Sequence, residues 1–180
     1  LQKVASANLT KDLRRIGNAN TYFQKICDML QLAHKELSSD SDTHPLMTPQ
    51  PGNTINLIVF GSDRGLCGSF NTQLMDAVQS FLKANASSDI HLFLRGKVVY
   101  RRSLRLKIPN INKVEDQSKI ADIMQSDFLN KKASKIYTIY WDYITSTNQQ
   151  VVTEQILPTP FTEKALETGI TKANNTQQQT

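Results

Sequence analysis

The sequence INLIVFGSDRGLCGSFN, residues 55–71, contains the signal that decides the fold class. Its first six residues form an almost continuous apolar run, which predicts a buried β-strand. A glycine-rich turn follows at residues 61–68, and an amphipathic pattern over residues 72–84 predicts a helix. A strand, a glycine turn and a helix in this order indicate an α/β domain.

The downstream sequence continues the alternation of strands and helices. Strands are predicted at residues 90–94, 112–114, 136–141 and 150–157, and helices at residues 97–103 and 116–130. This order predicts an α/β, Rossmann-like fold with a small, mostly parallel sheet covered by helices. The last strand follows its neighbour after a short turn, so we expect it to be antiparallel.

The upstream sequence predicts a long coiled-coil helix over residues 1–37. Apolar residues recur in two interleaved series with a period of seven, as in the contact seam of a coiled coil. A helix of this length extends roughly 55 Å, which exceeds the width of a small domain. The predicted seam consists of Leu9, Ile16, Ala19, Phe23, Ile26, Leu30, Ala33 and Leu37.

These patterns predict four segments. Residues 1–37 form the N-terminal helix, and residues 38–53, rich in Ser, Asp, Thr and Pro, form a linker. Residues 54–158 form the α/β domain. Residues 159–180 end in a polar Asn, Gln and Thr tract that we expect to be disordered.

Composition and charge exclude several classes of function. The longest apolar run is too short to cross a bilayer, so we expect no direct membrane insertion. Neither the cysteines nor the three histidines have metal-ligand spacing, and Cys27 and Cys67 are expected to be buried, reduced thiols. The net charge of +5 keeps a nucleic-acid-binding module open as an alternative. However, the basic cluster at Arg101, Arg102, Arg105 and Lys107 is more typical of a solvated helix face.

The glycine turn has the general form of a phosphate-binding loop but lacks its decisive residues. Residues 61–68 contain no lysine to reach a phosphate, and the glycines at 61, 65 and 68 do not match a dinucleotide fingerprint. The sequence instead favours a tight structural turn in which Gly65 or Gly68 has a positive φ. Asp63 or Ser69 is expected to cap the following helix. A small nucleotide-binding enzyme that uses this loop remains the alternative interpretation.

Residues 62–68, SDRGLCG, followed by Asn71, resemble the corresponding motif of F-type ATP synthase gamma subunits. The matching motif residues are Ser62, Asp63, Arg64, Gly65, Leu66, Cys67, Gly68 and Asn71. Residues 1–9, Tyr22, residues 95–97 and residues 144–158 also resemble segments of that family. The resemblance covers about residues 1–160, and implies that the start of the family's first helix and its long C-terminal helix are absent from this chain.

The resemblance implies a non-catalytic role in a rotary machine. Gamma subunits form the central shaft that couples proton-driven rotation to ATP synthesis. The implied partners are the alpha and beta subunits of the catalytic ring, the epsilon subunit and the membrane c-ring. No cofactor and no nucleic acid are implied. The implied location is peripheral to the inner membrane, on the cytoplasmic face in bacteria or the matrix face in mitochondria.

Overall fold

The computed structural model describes residues 11–19, 21–22, 25–26, 28–29, 32, 44–106, 108, 110–143 and 148–159. The chain divides into two compact units. One comprises Leu1–Asp42 and Phe161–Thr180, and the other comprises Thr43–Pro160.

The described residues of the second unit form five strands and three α-helices. The elements in chain order are β1 Thr54–Phe60, α1 Phe70–Ala84, β2 Asp89–Arg95, α2 Lys97–Ser103, β3 Asn110–Val114, a 3-10 turn Gln117–Lys119, α3 Ile120–Leu129, β4 Lys135–Tyr143 and β5 Gln149–Leu157.

The strands form one mixed sheet in the order β3-β2-β1-β4-β5. Strands β1 to β4 are parallel to one another, and β5 runs antiparallel to β4. The predicted fold class and the antiparallel last strand are therefore confirmed. The connection from β3 to β4 crosses back over the sheet, so the strand order reverses between β1 and β4.

The central strand β1 is buried on both faces because helices cover both sides of the sheet. Its Leu57 and Val59 pack with Leu74 and Val78 of α1 and with Val99 of α2. Ile58 points to the other face, where it packs in a cluster with three buried α3 residues, Ile120, Met124 and Phe128. Such two-sided burial explains why the strand is a nearly continuous apolar run.

One polar residue interrupts that apolar run and is satisfied within the core. Asn56 is almost fully buried, and its Nδ2 donates a hydrogen bond to Asp127 Oδ2 over 3.0 Å. A buried amide without such a partner would cost about 1–3 kcal/mol. The Asn56–Asp127 bond therefore ties β1 to α3 across this face of the sheet.

Several boundaries differ from the sequence-based expectation, and two of these differences have a local physical cause. The helix predicted from residue 116 starts with the 3-10 turn, because the Asp116 carboxylate accepts a hydrogen bond from Ser118 N and holds that turn. Part of the predicted linker belongs to the α/β unit. Leu46 packs against the α3-side core, and its carbonyl oxygen accepts a hydrogen bond from Thr159 N over 3.0 Å.

In the first unit, the described residues between 11 and 32 are helical. Ile16 and Ile26 of the predicted seam are half-buried, and Ala19 is exposed. The other predicted seam residues, Leu9, Phe23, Leu30, Ala33 and Leu37, lie outside the described residues, so the coiled-coil seam stays a prediction. The predicted tail beyond Thr159 also lies outside them. Within the described part of the chain, no helix has the length and apolar character needed to cross a bilayer.

Candidate functional site

The glycine turn starts where β1 and β2 leave the sheet side by side. Gly61 N donates a hydrogen bond to Arg95 O over 2.7 Å, and Val98 N donates to Ser62 O over 3.1 Å. The two chain segments are so close that neither glycine has room for a side chain. A Cβ at Gly96 would lie 2.5 Å from Gly61 O, and a Cβ at Gly61 would overlap the Val99 side chain. Gly96 also has a φ of +112°, which favours glycine.

We call the close approach of the chain at Gly61 and Gly96 the Gly61–Gly96 crossing. Asp63 connects this crossing to the start of α2. Its carboxylate accepts two hydrogen bonds from Arg95 Nη1, at 2.9 and 3.0 Å. Asp63 Oδ1 also accepts a hydrogen bond from Lys97 N over 3.2 Å, at the first residue of α2. The Arg95 hydrogen bonds, followed by the Lys97 N–H, lower the pKa of Asp63 from its ordinary value of 3.8.

Neither residue predicted to cap α1 does so. Asp63 caps α2 instead, because the chain crossing places its carboxylate beside the Lys97 N–H. Ser69 occupies the N-cap position of α1, but its side chain makes no capping hydrogen bond. The Ser69 Oγ instead accepts a hydrogen bond from Gln73 Nε2 over 2.8 Å.

Asn71 holds the first residue of the turn from within α1. Its side chain is buried; Oδ1 accepts from Ser62 N over 3.2 Å, and Nδ2 donates to Ser62 Oγ over 2.7 Å. The Ser62 hydroxyl in turn donates to Arg64 O over 2.7 Å. The motif residues Ser62, Arg64 and Asn71 are therefore brought together in one hydrogen-bonded turn.

The middle of the turn is exposed and includes left-handed backbone. Gly68 has a φ of +56°, which confirms the prediction for this glycine, whereas Gly65 is not in the left-handed region. Leu66 also has a left-handed φ, of 60°, and its side chain is fully exposed. The expectation of a buried Cys67 thiol is wrong, because the turn points this side chain outward. Its Sγ lies 3.4 Å from both Arg64 O and Gly65 O.

The end of the turn is anchored to β4 by an aromatic pair. The rings of Phe70 and Trp141 stack with their centroids 5.3 Å apart. Trp141 Nε1 donates a hydrogen bond to Phe70 O over 3.1 Å. The turn is thus fixed to β2 at its start and to β4 at its end.

A shallow cleft of about 250 Å³ lies beside the turn, at the carboxyl ends of β1, β2 and β3. It is lined by Asp63, Arg95, Gly96, Lys97, Lys113, Val114 and Glu115. In doubly wound sheets, ligands bind where the strand order reverses, which here lies between β1 and β4. The cleft lies on the other side of β1. Two of its cations already have partners, since Arg95 pairs with Asp63 and Lys113 Nζ lies 2.7 Å from Glu115 Oε1.

The described residues contain no group of three or more His, Cys, Asp or Glu side chains that could hold a metal ion. Two N–H groups of the turn region also have internal partners. Ser62 N donates to Asn71 Oδ1, and Phe70 N donates to Cys67 O. The arrangement therefore favours a structural turn with an exposed tip, and it argues against a phosphate-binding loop.

Comparison with known families decides the assignment. The sequence profile of a family described as ATP synthase matches residues 1–180. The chain belongs to this ATP synthase family.

Its curated relatives include gamma chains of this family from several bacteria. The ATP synthase gamma chain of Dictyoglomus thermophilum is 27% identical over 146 residues, covering 76% of this chain and 50% of the relative. The ATP synthase gamma chain of Geotalea daltonii is 26% identical over 176 residues, covering 92% of this chain and 60% of the relative. The chain thus spans about half to three fifths of the length of these relatives.

A solved structure shares the fold. It is a chain from the central stalk and c-ring of the Tetrahymena thermophila mitochondrial ATP synthase. The TM-score is 0.53 at 16% sequence identity, and the match covers 93% of this chain and 89% of the other. This member of the ATP synthase family therefore shares its fold with a chain of that central-stalk and c-ring assembly.

The Gly61–Gly96 crossing generates a prediction about stability. Replacing Gly96 with Ala introduces both a left-handed strain and a clash with the Gly61 backbone, so we expect the free energy of unfolding to fall by about 2–4 kcal/mol. Gly65→Ala is the matched control, because a Cβ there meets nothing within 4 Å. We expect that control to stay within about 0.5 kcal/mol of the native chain. Urea unfolding measures both, and equal midpoints for the two variants would contradict the crossing as described.

The lowered pKa of Asp63 generates a prediction about acid stability. An acid whose pKa is depressed by folding stabilises the fold above its ordinary pKa of 3.8, and this contribution is lost as the pH falls through the folded value. We expect Asp63→Asn to lower the melting temperature at neutral pH, and the difference from the native chain to shrink below pH 3.8. Asp76→Asn, an exposed change on α1, serves as the control. A difference in melting temperature that does not vary with pH would show that the charge of Asp63 does not stabilise the fold.

Proposed function

We propose that this chain acts as the gamma part of the central rotor of an F-type ATP synthase. In this role it couples proton-driven rotation to ATP synthesis in the catalytic ring. The observation that carries the proposal is the family match across residues 1–180. The shared fold with a central-stalk chain supports it independently of the sequence motif.

The two units have different parts in this proposal. The first unit, in which the described residues are helical, contributes one helix of the coiled-coil shaft, which runs inside the ring of alpha and beta subunits. The α/β unit is the foot, which contacts the epsilon subunit and the c-ring. The whole chain is peripheral to the inner membrane, on the cytoplasmic face in bacteria or the matrix face in mitochondria.

The packing of the α/β unit suits a foot that transmits torque. A sheet covered on both faces is close-packed and has low compressibility, so a load on one surface is carried to the others. The turn at residues 62–68 is tied to α1 by Asn71, and to the sheet by the Asp63–Arg95 pair and the Phe70–Trp141 stack. Its exposed tip at Leu66 therefore stands on a rigid base.

In this proposal the chain itself makes and breaks no bond. Residues 62–71 include no lysine, and the N–H groups of Ser62 and Phe70 are already bonded within the turn. The Asn71 side chain is hydrogen-bonded to both the N–H group and the hydroxyl of Ser62. These contacts favour a rotor component over the alternative of a small nucleotide-binding enzyme.

The proposal predicts the behaviour of the chain in its native membranes. A tagged copy should co-purify with the alpha and beta subunits, and its depletion should abolish proton-driven ATP synthesis by membrane vesicles. The purified chain alone should hydrolyse no ATP, because residues 62–71 lack a Walker lysine.

Two results would count against the proposal. One is undiminished ATP synthesis in vesicles that lack the chain. The other is ATP turnover by the purified chain that disappears in an Arg64→Ala variant, which would assign chemistry to the glycine turn. Arg14→Ala provides a control for that variant, since it removes an exposed arginine that lies outside the turn.

A further inference from the structure

The positive charge of this protein is concentrated in one segment. Residues 90–114 contain seven Lys or Arg residues and no Asp or Glu. The rest of the chain contains 14 basic and 16 acidic residues. The net charge of +5 therefore comes entirely from this segment.

Two cations of this segment form ion pairs within the α/β unit. Arg95 pairs with Asp63, and Lys113 pairs with Glu115. Three others lie close together at the end of α2 and just beyond it. We call Arg101, Arg102, Leu104 and Arg105 the arginine patch, and all four side chains are exposed. Leu104, the apolar member, is 58% exposed although it lies between charged residues.

Hydrogen bonds to uncharged groups position two of the guanidinium groups. Arg101 Nε donates to Lys97 O over 3.4 Å, and Arg102 Nη1 donates to Thr72 Oγ1 over 2.9 Å. A guanidinium has five N–H donors, so most donors of each group stay available to a further acceptor. Among the described residues, no ion pair involves an arginine of the patch.

A favourable interaction with the helix dipole accounts for only part of this arrangement. The dipole of a helix stabilises cations at its carboxyl end. This effect explains the positions of Arg101 and Arg102 in the last turn of α2. It accounts neither for Arg105, beyond the helix end, nor for the exposed Leu104. Lys97 and Arg101 are also four residues apart on α2, a spacing at which like charges repel each other. An anionic partner would relieve that repulsion.

We infer that the arginine patch docks a carboxylate-rich face of a protein partner. Planar guanidinium forks match carboxylates, and arginine is enriched at protein interfaces. An exposed leucine among the arginines supplies an apolar contact at the centre of such a face. The inference goes beyond the proposed function, because it depends only on the chemistry of the patch.

Other anionic surfaces fit the patch less well. Stable adsorption to an anionic membrane takes a larger basic cluster or an added apolar anchor, and three arginines with one leucine provide neither. Single-stranded nucleic acid is bound on aromatic platforms along a basic groove, and the exposed apolar side chain here is aliphatic. Protein carboxylates are therefore the chemistry that the patch fits best.

The test measures binding of the full chain to poly-L-glutamate by fluorescence anisotropy at low salt. The triple variant Arg101→Gln, Arg102→Gln, Arg105→Gln should bind about tenfold more weakly than the native chain. The control triple variant Lys83→Gln, Lys131→Gln, Lys135→Gln removes the same charge from exposed sites elsewhere and should change binding by less than about twofold. An Arg→Lys triple at the patch keeps the charge but loses the fork, and should lie between these values.

Three outcomes would overturn the inference. Equal losses in the two glutamine variants would show that net charge alone drives binding. A native chain that binds phosphatidylglycerol vesicles or duplex DNA, but not poly-L-glutamate, would assign the patch to lipid or nucleic acid. If the arginine-to-glutamine variant fails to fold by circular dichroism, native affinity in the Arg→Lys triple would contradict recognition by guanidinium forks.

Discussion

The close crossing of the chain at Gly61 and Gly96 is the constraint on which the rest of the site depends. The two backbones meet directly, with Gly61 N bonded to Arg95 O at 2.7 Å. This contact places Asp63 beside both Arg95 and the first N–H group of α2. Only glycine permits so close an approach of the two backbones. The approach fixes the start of α2, the base of the turn and the ends of two parallel strands relative to one another.

Much of the fold could be predicted from the sequence, because its strands and helices have distinct apolar periods. The strand at residues 55–60 is apolar because both its faces are buried, and the helix at residues 97–103 was predicted with the bounds that the structure has. The site itself was less predictable. The carboxylate of Asp63 caps a helix that begins 34 residues later in the sequence, and a local capping rule cannot identify a partner so distant.

Other details of the site depend on spatial neighbours that the sequence does not reveal. Gly61 directly follows the first predicted strand and Gly96 lies two residues after the second, but nothing in their spacing shows that they face each other. Cys67 was expected to be buried as an ordinary apolar thiol, whereas the left-handed residues around it turn it outward. The polar neighbours of Leu46 predict a linker, yet Leu46 packs on the core, and its carbonyl oxygen accepts a hydrogen bond from Thr159 N.

We propose that this chain is part of the shaft between the catalytic ring and the membrane rotor. Cryo-electron microscopy of the native complex, isolated through a tag on this chain, tests it most directly. We expect density for the Thr43–Pro160 fold on the rotation axis, between the ring and the membrane. Density for this fold at the periphery of the complex, or an isolated chain without ATP synthase subunits, would contradict it.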